Sequence, residues 1–192
     1  MKVIFFKCLL LMLPIISSCQ DSPILLKHQI SMSYDNTVLN HPLLFSSGVN
    51  IRYGRALLQQ NAHKVSALGS FGFIHTPDID TRLLFGIGGE YSISFFKRFG
   101  FALGLQANYI LTALGYDVFE YNAEGEWENQ GNLLHQFSPS MHVSLGVDLL
   151  CKAKFNVGLF LEMRLMRLNE SYEERFFEGY VPTFSIGLKS NF

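Results

Sequence analysis

Charge, cysteine and tryptophan are all scarce in this chain. Only 16% of its 192 residues are Asp, Glu, Lys or Arg, and their formal sum is −1. No bulk field of either sign is available to recruit nucleic acid. The three cysteines, Cys8, Cys19 and Cys151, suggest no disulfide framework, which excludes the small stapled secreted domains. His28, His41, His63, His75 and His135 are scattered without metal-ligand spacing, so no metal site and no cofactor is expected. Beyond residue 20 no run reaches the roughly 18 apolar residues that mark a spanning helix. Gly86, Gly88 and Gly89 sit inside an alternating segment with no helix after it, which excludes a dinucleotide-binding loop.

What the chain does have is Phe (18), Gly (16) and Tyr (8), within a composition that is 48% hydrophobic. That mixture suits strands, tight turns and close backbone approach. Residues 1–19 read as an export signal. Lys2 gives a short positive start, Cys8 to Ile16 an apolar centre, and Ser17, Ser18 and Cys19 a small-residue end. Two processing routes fit. Ile16-Ser17-Ser18-Cys19 resembles a lipobox, which would make Cys19 a lipidated N-terminus; ordinary cleavage after Cys19 would leave Gln20 first. Either route removes Cys8 and leaves Cys151 without an obvious partner. Residues 20–192 form a single domain.

Eight segments of that domain alternate by side-chain type, the signature of strands with one apolar and one polar face. They begin with Ile24–Tyr34, Leu43–Tyr53 and Lys64–Ile74. The fourth, with Leu83, Phe85, Ile87, Tyr91, Ile93 and Phe95 on one face, is the clearest. The fifth carries Phe99 to Leu111, the sixth Phe137 to Leu149, the seventh Phe155 to Leu165, and the last runs from Tyr180 to the terminal Phe192. Each is long enough to cross a bilayer as a tilted strand, which takes about 9–11 residues. The opposite faces are rich in glycine and polar residues, which suits the cramped lumen of a narrow barrel. Three short connections, Leu57–His63, Phe96–Arg98 and Leu150–Lys154, alternate with four mostly longer ones, Asp35–Pro42, His75–Thr81, Gly115–Leu133 and Arg167–Gly179. The expected architecture is all-β: an eight-stranded antiparallel up-and-down transmembrane β-barrel with periplasmic termini.

The alternating last strand ending in Phe192, the eight segments and the export signal together resemble the small outer-membrane β-barrel proteins of OmpA-like or OmpX-like architecture. Gly86-Ile87-Gly88-Gly89-Glu90-Tyr91 is similar to segments of the broad outer-membrane β-barrel domain family. The resemblance implies an outer-membrane location, lipid and lipopolysaccharide as surroundings, and insertion by the barrel-assembly machinery. It implies nothing definite about activity.

Three groups of residues are candidate sites. Arg52, Glu90, Asp148, Glu162 and Arg164 fall on the lumen face, where buried charges must pair. An interior salt-bridge network is expected, with a gate or proton pathway as the alternative; a barrel of this size is filled by its own side chains, so an open pore is not expected, and a narrow channel is the third reading of function. His142, Ser144 and Glu162 offer a Ser, a His and a carboxylate, the ingredients of a hydrolytic triad. They loosely resemble the site of outer-membrane lipid A deacylases, which would make the chain a lipid-modifying enzyme. Residues two apart on a strand are neighbours without any chemistry, however, and the favoured reading is non-enzymatic. Finally, Asp117, Glu120, Tyr121, Glu126 and Trp127 crowd the third outer connection, where carboxylates and aromatics could meet an extracellular ligand or Ca²⁺.

Overall fold

Each alternating segment is a strand in the computed structural model, and among the described residues there is no helix. The structure describes residues 27–38, 45–60, 62–77, 79–95, 98–121, 127–152, 155–167 and 180–192. The export signal, Cys19 and Glu126 lie outside them, as do the side chains of Asp117, Glu120, Tyr121 and Trp127. The strands are β1 (His28–Val38), β2 (Phe45–Gln60), β3 (His63–Thr76), β4 (Asp80–Phe95), β5 (Phe99–Tyr121), β6 (Trp127–Lys152), β7 (Phe155–Arg167) and β8 (Tyr180–Asn191). Each pairs antiparallel with the next, and β1 pairs with β8, closing the sheet into a barrel. Closure runs to the last residue. His28 N donates to Phe192 O and Phe192 N to His28 O, both at 2.9 Å, and the two rings stack with centroids 5.8 Å apart.

The parity of the strands sorts the side chains as expected. Outward positions are apolar and bare, with Ile87 73%, Leu105 67% and Phe137 80% exposed. Inward positions such as Ser31, Asn50, Arg52, Glu90, Asn108 and Glu162 are buried. This is the inverse of a soluble barrel, whose apolar face would be inside. At about 3.3 Å per residue and a tilt of about 40°, the outward apolar run from Leu83 to Phe95 rises about 30 Å, the thickness of a bilayer's hydrocarbon core. A closed ring also leaves no unpaired strand edge, which lipid could not solvate. The chain is a transmembrane β-barrel.

Several boundaries differ from expectation. β1 starts at His28 and continues to Val38, because Ser33, Asp35 and Thr37 extend the inward face that was expected to end at Tyr34. The connection expected over His75–Thr81 is only a tight turn between Thr76 and Asp80, with Ile79 N bonded to Thr76 O at 3.2 Å. The connection expected over Gly115–Leu133 is largely a continued hairpin, paired from Val118↔Gly131 to Tyr121↔Trp127. Tyr, Val, Phe and Trp favour strand there, and Gly131, at φ 80, supplies the left-handed residue at the bulge where the register shifts. A second irregularity between Asp148 and Leu150 reverses parity, so Leu150 and not Leu149 takes the outward place. Cys151 is disulfide-bonded, contrary to the expectation of a cysteine without an obvious partner.

Ile87→Arg tests the inversion. In lipid vesicles it should destabilise the barrel by about 2–4 kcal/mol, the usual cost of Arg at a bilayer midplane, read from urea unfolding. On a water-facing surface the same change would be nearly neutral.

Candidate functional site

The lumen is built in layers. At mid-height β1, β2, β4, β6 and β7 bring ionisable side chains together. Arg52 on β2 donates to both oxygens of Glu162 on β7, from Nη1 at 2.8 Å and from Nη2 at 2.7 Å. Arg164, two residues along β7, donates to Glu162 Oε1 at 2.9 Å and lies 3.8 Å from Asp35 on β1. Ser33 Oγ donates to Asp35 at 2.7 Å. On the other side Arg52 reaches within 3.9 Å of Glu90 on β4, and His142 Nε2 is 3.1 Å from the same carboxylate. The chain of contacts therefore runs Asp35–Arg164–Glu162–Arg52–Glu90–His142, all with under a tenth of their surface exposed.

Of the five charges expected to form one network, Arg52, Glu90, Glu162 and Arg164 come together. Asp148 does not join them. It sits lower in the bore, 3.6 Å from Lys189 on β8. Asp35 and His142 complete the layer, and sequence reading missed them for different reasons. Asp35 was assigned to a connection; following the Ser31, Ser33, Asp35, Thr37 alternation one turn further would have found it. His142 was placed on the lumen face and weighed only in the disfavoured hydrolytic alternative; it is a partner of Glu90.

The hydrolytic arrangement is not assembled. Cross-strand register sets Ser144 opposite Glu162 and His142 opposite Arg164. The imidazole bonds Glu90, both Glu162 oxygens are held by guanidinium groups, and among the described residues no hydrogen bond joins His142 to Ser144. His142 is fully buried in the lumen, away from the lipid an acyl hydrolase would have to meet. The physical reason is competition: two guanidinium groups within reach of Glu162 take its oxygens through charge-assisted hydrogen bonds. Nor do the described residues include a group of three His, Cys, Asp or Glu placed to hold a metal.

Above the charges, toward the ends of β5 and β6 that project furthest, apolar side chains enter the bore beside a second buried ion pair, Arg82 with Asp80 at 2.6 Å, and buried Thr76, Thr112 and Thr183. Ile74, Leu84, Ile110, Met166 and Val181 form one buried cluster. A uniformly polar, glycine-rich inner face was expected, and this layer corrects it. Below the charges, at the end carrying both chain termini, lies a cavity of about 140 Å³ bordered by Gln29, Lys64, Ser144, Lys189 and Asn191. An ion entering there meets first the Arg52–Glu162 layer and then the apolar one.

With this geometry in view, likeness to known proteins can be stated. No protein-family model matches the chain, and no curated protein does. Among solved structures, Neisserial surface protein A aligns over 85% of this chain and 94% of its own, with a TM-score of 0.53 at 10% identity. The fold is that of the small outer-membrane β-barrels. At that identity the likeness speaks for fold alone. The outer membrane enzyme PagL (TM-score 0.43, 10% identity, 83% of this chain and 97% of that one) aligns more loosely. So does Ail, the attachment invasion locus protein of Yersinia pestis (TM-score 0.46, 11% identity, 86% and 97%).

The charged layer makes a distinct prediction for this barrel. Glu162→Ala strands two guanidiniums and should cost about 3–5 kcal/mol in urea unfolding. Ser144→Ala should stay within about 0.5 kcal/mol. Gly104→Val should resemble the first change, because a Cβ at Gly104 would lie 2.2 Å from His142 Cε1 and drive the ring off Glu90.

Proposed function

We propose that this chain is a non-enzymatic outer-membrane barrel that acts through the surface it presents outside the cell, as a structural or surface-interaction protein. One observation carries the reading. β5 and β6 are 23 and 26 residues long, whereas the other strands have between 11 and 16. A bilayer needs only about 9–11 residues of tilted strand, so the β5–β6 hairpin stands well clear of the membrane on the side opposite the termini. The projecting segment contains Asp117, Glu120, Tyr121, Glu126 and Trp127, a mixture of carboxylates and aromatics suited to contact with a partner surface, directly or through Ca²⁺.

Replacing residues 116–130 with a short Asn-Gly turn should leave a barrel that still shifts mobility on heating before electrophoresis. Cells producing it should lose attachment to protein-coated or glycan-coated surfaces. Unchanged attachment would overturn the surface-contact role, and an altered lipid A profile in cells lacking the whole protein would overturn its non-enzymatic character. Protection of Gly115–Leu133 from protease by calcium would support the ion-bridged form of the contact.

A further inference from the structure

We infer that the cavity at the terminal end of the bore is a binding site for a small oxyanion, a carboxylate or phosphate group, held between Lys64 and Lys189. The inference comes from counting which charges already have partners. Three carboxylates border the cavity: Glu162 is held by Arg52 and Arg164 and Glu90 by His142, whereas Asp148 has only the longer contact with Lys189 at 3.6 Å, and its Oδ1 makes no hydrogen bond among the described residues. Among the cations, Arg52 has both terminal nitrogens on Glu162. Lys64 is different. Its ammonium rests on two neutral amide oxygens, Gln29 Oε1 at 3.1 Å and Asn191 Oδ1 at 3.4 Å, and no carboxylate lies within ion-pair distance of it among the described residues. An ammonium has three N–H donors, so one remains unused.

Lys189 reaches into the same space. Its side chain leaves β8 and crosses the bore until Nζ stands 2.8 Å from where a Cβ would be on Gly146 and 3.5 Å from that on Gly100. Glycine at these two positions on β6 and β5 makes room for the ammonium. Its ion pair with Asp148, at 3.6 Å, is longer than a hydrogen bond and leaves donors free. Lys64 and Lys189 repel each other, and Glu90 and Asp148 offset that repulsion; an oxyanion between the two ammonium groups would offset it further while using their free donors. The space of about 140 Å³ admits one oxyanion with a few waters, taking roughly 30 Å³ for each water. His28 and Phe192 lie at this end, which the expected topology turns toward the periplasm, so the ligand would arrive from that compartment. The site is independent of the projecting hairpin on the far side.

The test uses the full barrel in detergent micelles with its lysines ¹³C-labelled at Cε, which leaves the charge and every N–H in place. Inorganic phosphate, acetate and glycerol 3-phosphate are titrated separately against chloride at constant ionic strength. Phosphate or acetate should move the Lys64 and Lys189 signals along one saturable curve, while exposed Lys27 drifts linearly. Lys64→Gln should weaken binding at least tenfold. Gly146→Ala should weaken it too while leaving every charge in place, and heat-modifiable mobility confirms that each variant is folded. Exclusion of glycerol 3-phosphate would assign a free ion; equal binding would assign an oxyanion carried on a larger molecule. Linear drift at Lys64 and Lys189 like that at Lys27, or saturable binding unchanged in both Lys64→Gln and Lys189→Gln, would overturn the site.

Discussion

The pairing of β1 with β8 is the contact on which the rest of this structure depends. A sheet in lipid cannot keep an edge, because hydrocarbon offers nothing to an unpaired N–H or C=O. Until β8 meets β1 every other ladder belongs to an open sheet with two such edges. The reciprocal bonds between His28 and Phe192 carry that closure to the end of the chain. Once the ring is shut, parity does the remaining sorting. Odd and even residues are committed to opposite environments, and a one-residue slip in any strand would exchange them.

Closure also creates the problem that the lumen solves. A narrow ring pulls every inward side chain into a bore with little water, so a charge there is tolerable only beside its opposite. The layer from Asp35 to His142 draws on five different strands and so ties together parts of the ring that share no backbone ladder. The apolar cluster beyond it needs no such pairing. The two layers fill the bore by different physics, one through charge-assisted hydrogen bonds and the other through packing of Ile74, Leu84, Ile110, Met166 and Val181.

Much of this was legible in the sequence, and the limits were physical. Strand number, closure and the outward face follow from period-2 alternation, which is long and regular in segments such as Leu83–Phe95. Strand ends were less legible because polar residues that face a lumen look like residues of a loop: Asp35 and Thr37 were assigned to a connection on that ground. The Gly115–Leu133 segment misled for the same reason, since its carboxylates obscured a run of strand-forming aromatics. In the site, parity correctly sent Arg52, Glu90, Glu162 and Arg164 inward. It could not say which pairs would meet, since that depends on cross-bore distances that no local pattern encodes. Asp148 was thus grouped with charges it does not touch, and Lys189, though visible on the inward face, was not recognised as its partner.

The overhang of β5 and β6 has a mechanical consequence. Any load applied at the hairpin tip runs down both strands along their length. It reaches the membrane as shear on the flanking ladders, β4 with β5 and β6 with β7, where many hydrogen bonds share the strain at once. A load on a short loop between two strand ends would instead peel one bond at a time. The stalk that lifts the tip away from the membrane is therefore anchored in the direction in which a sheet is strongest.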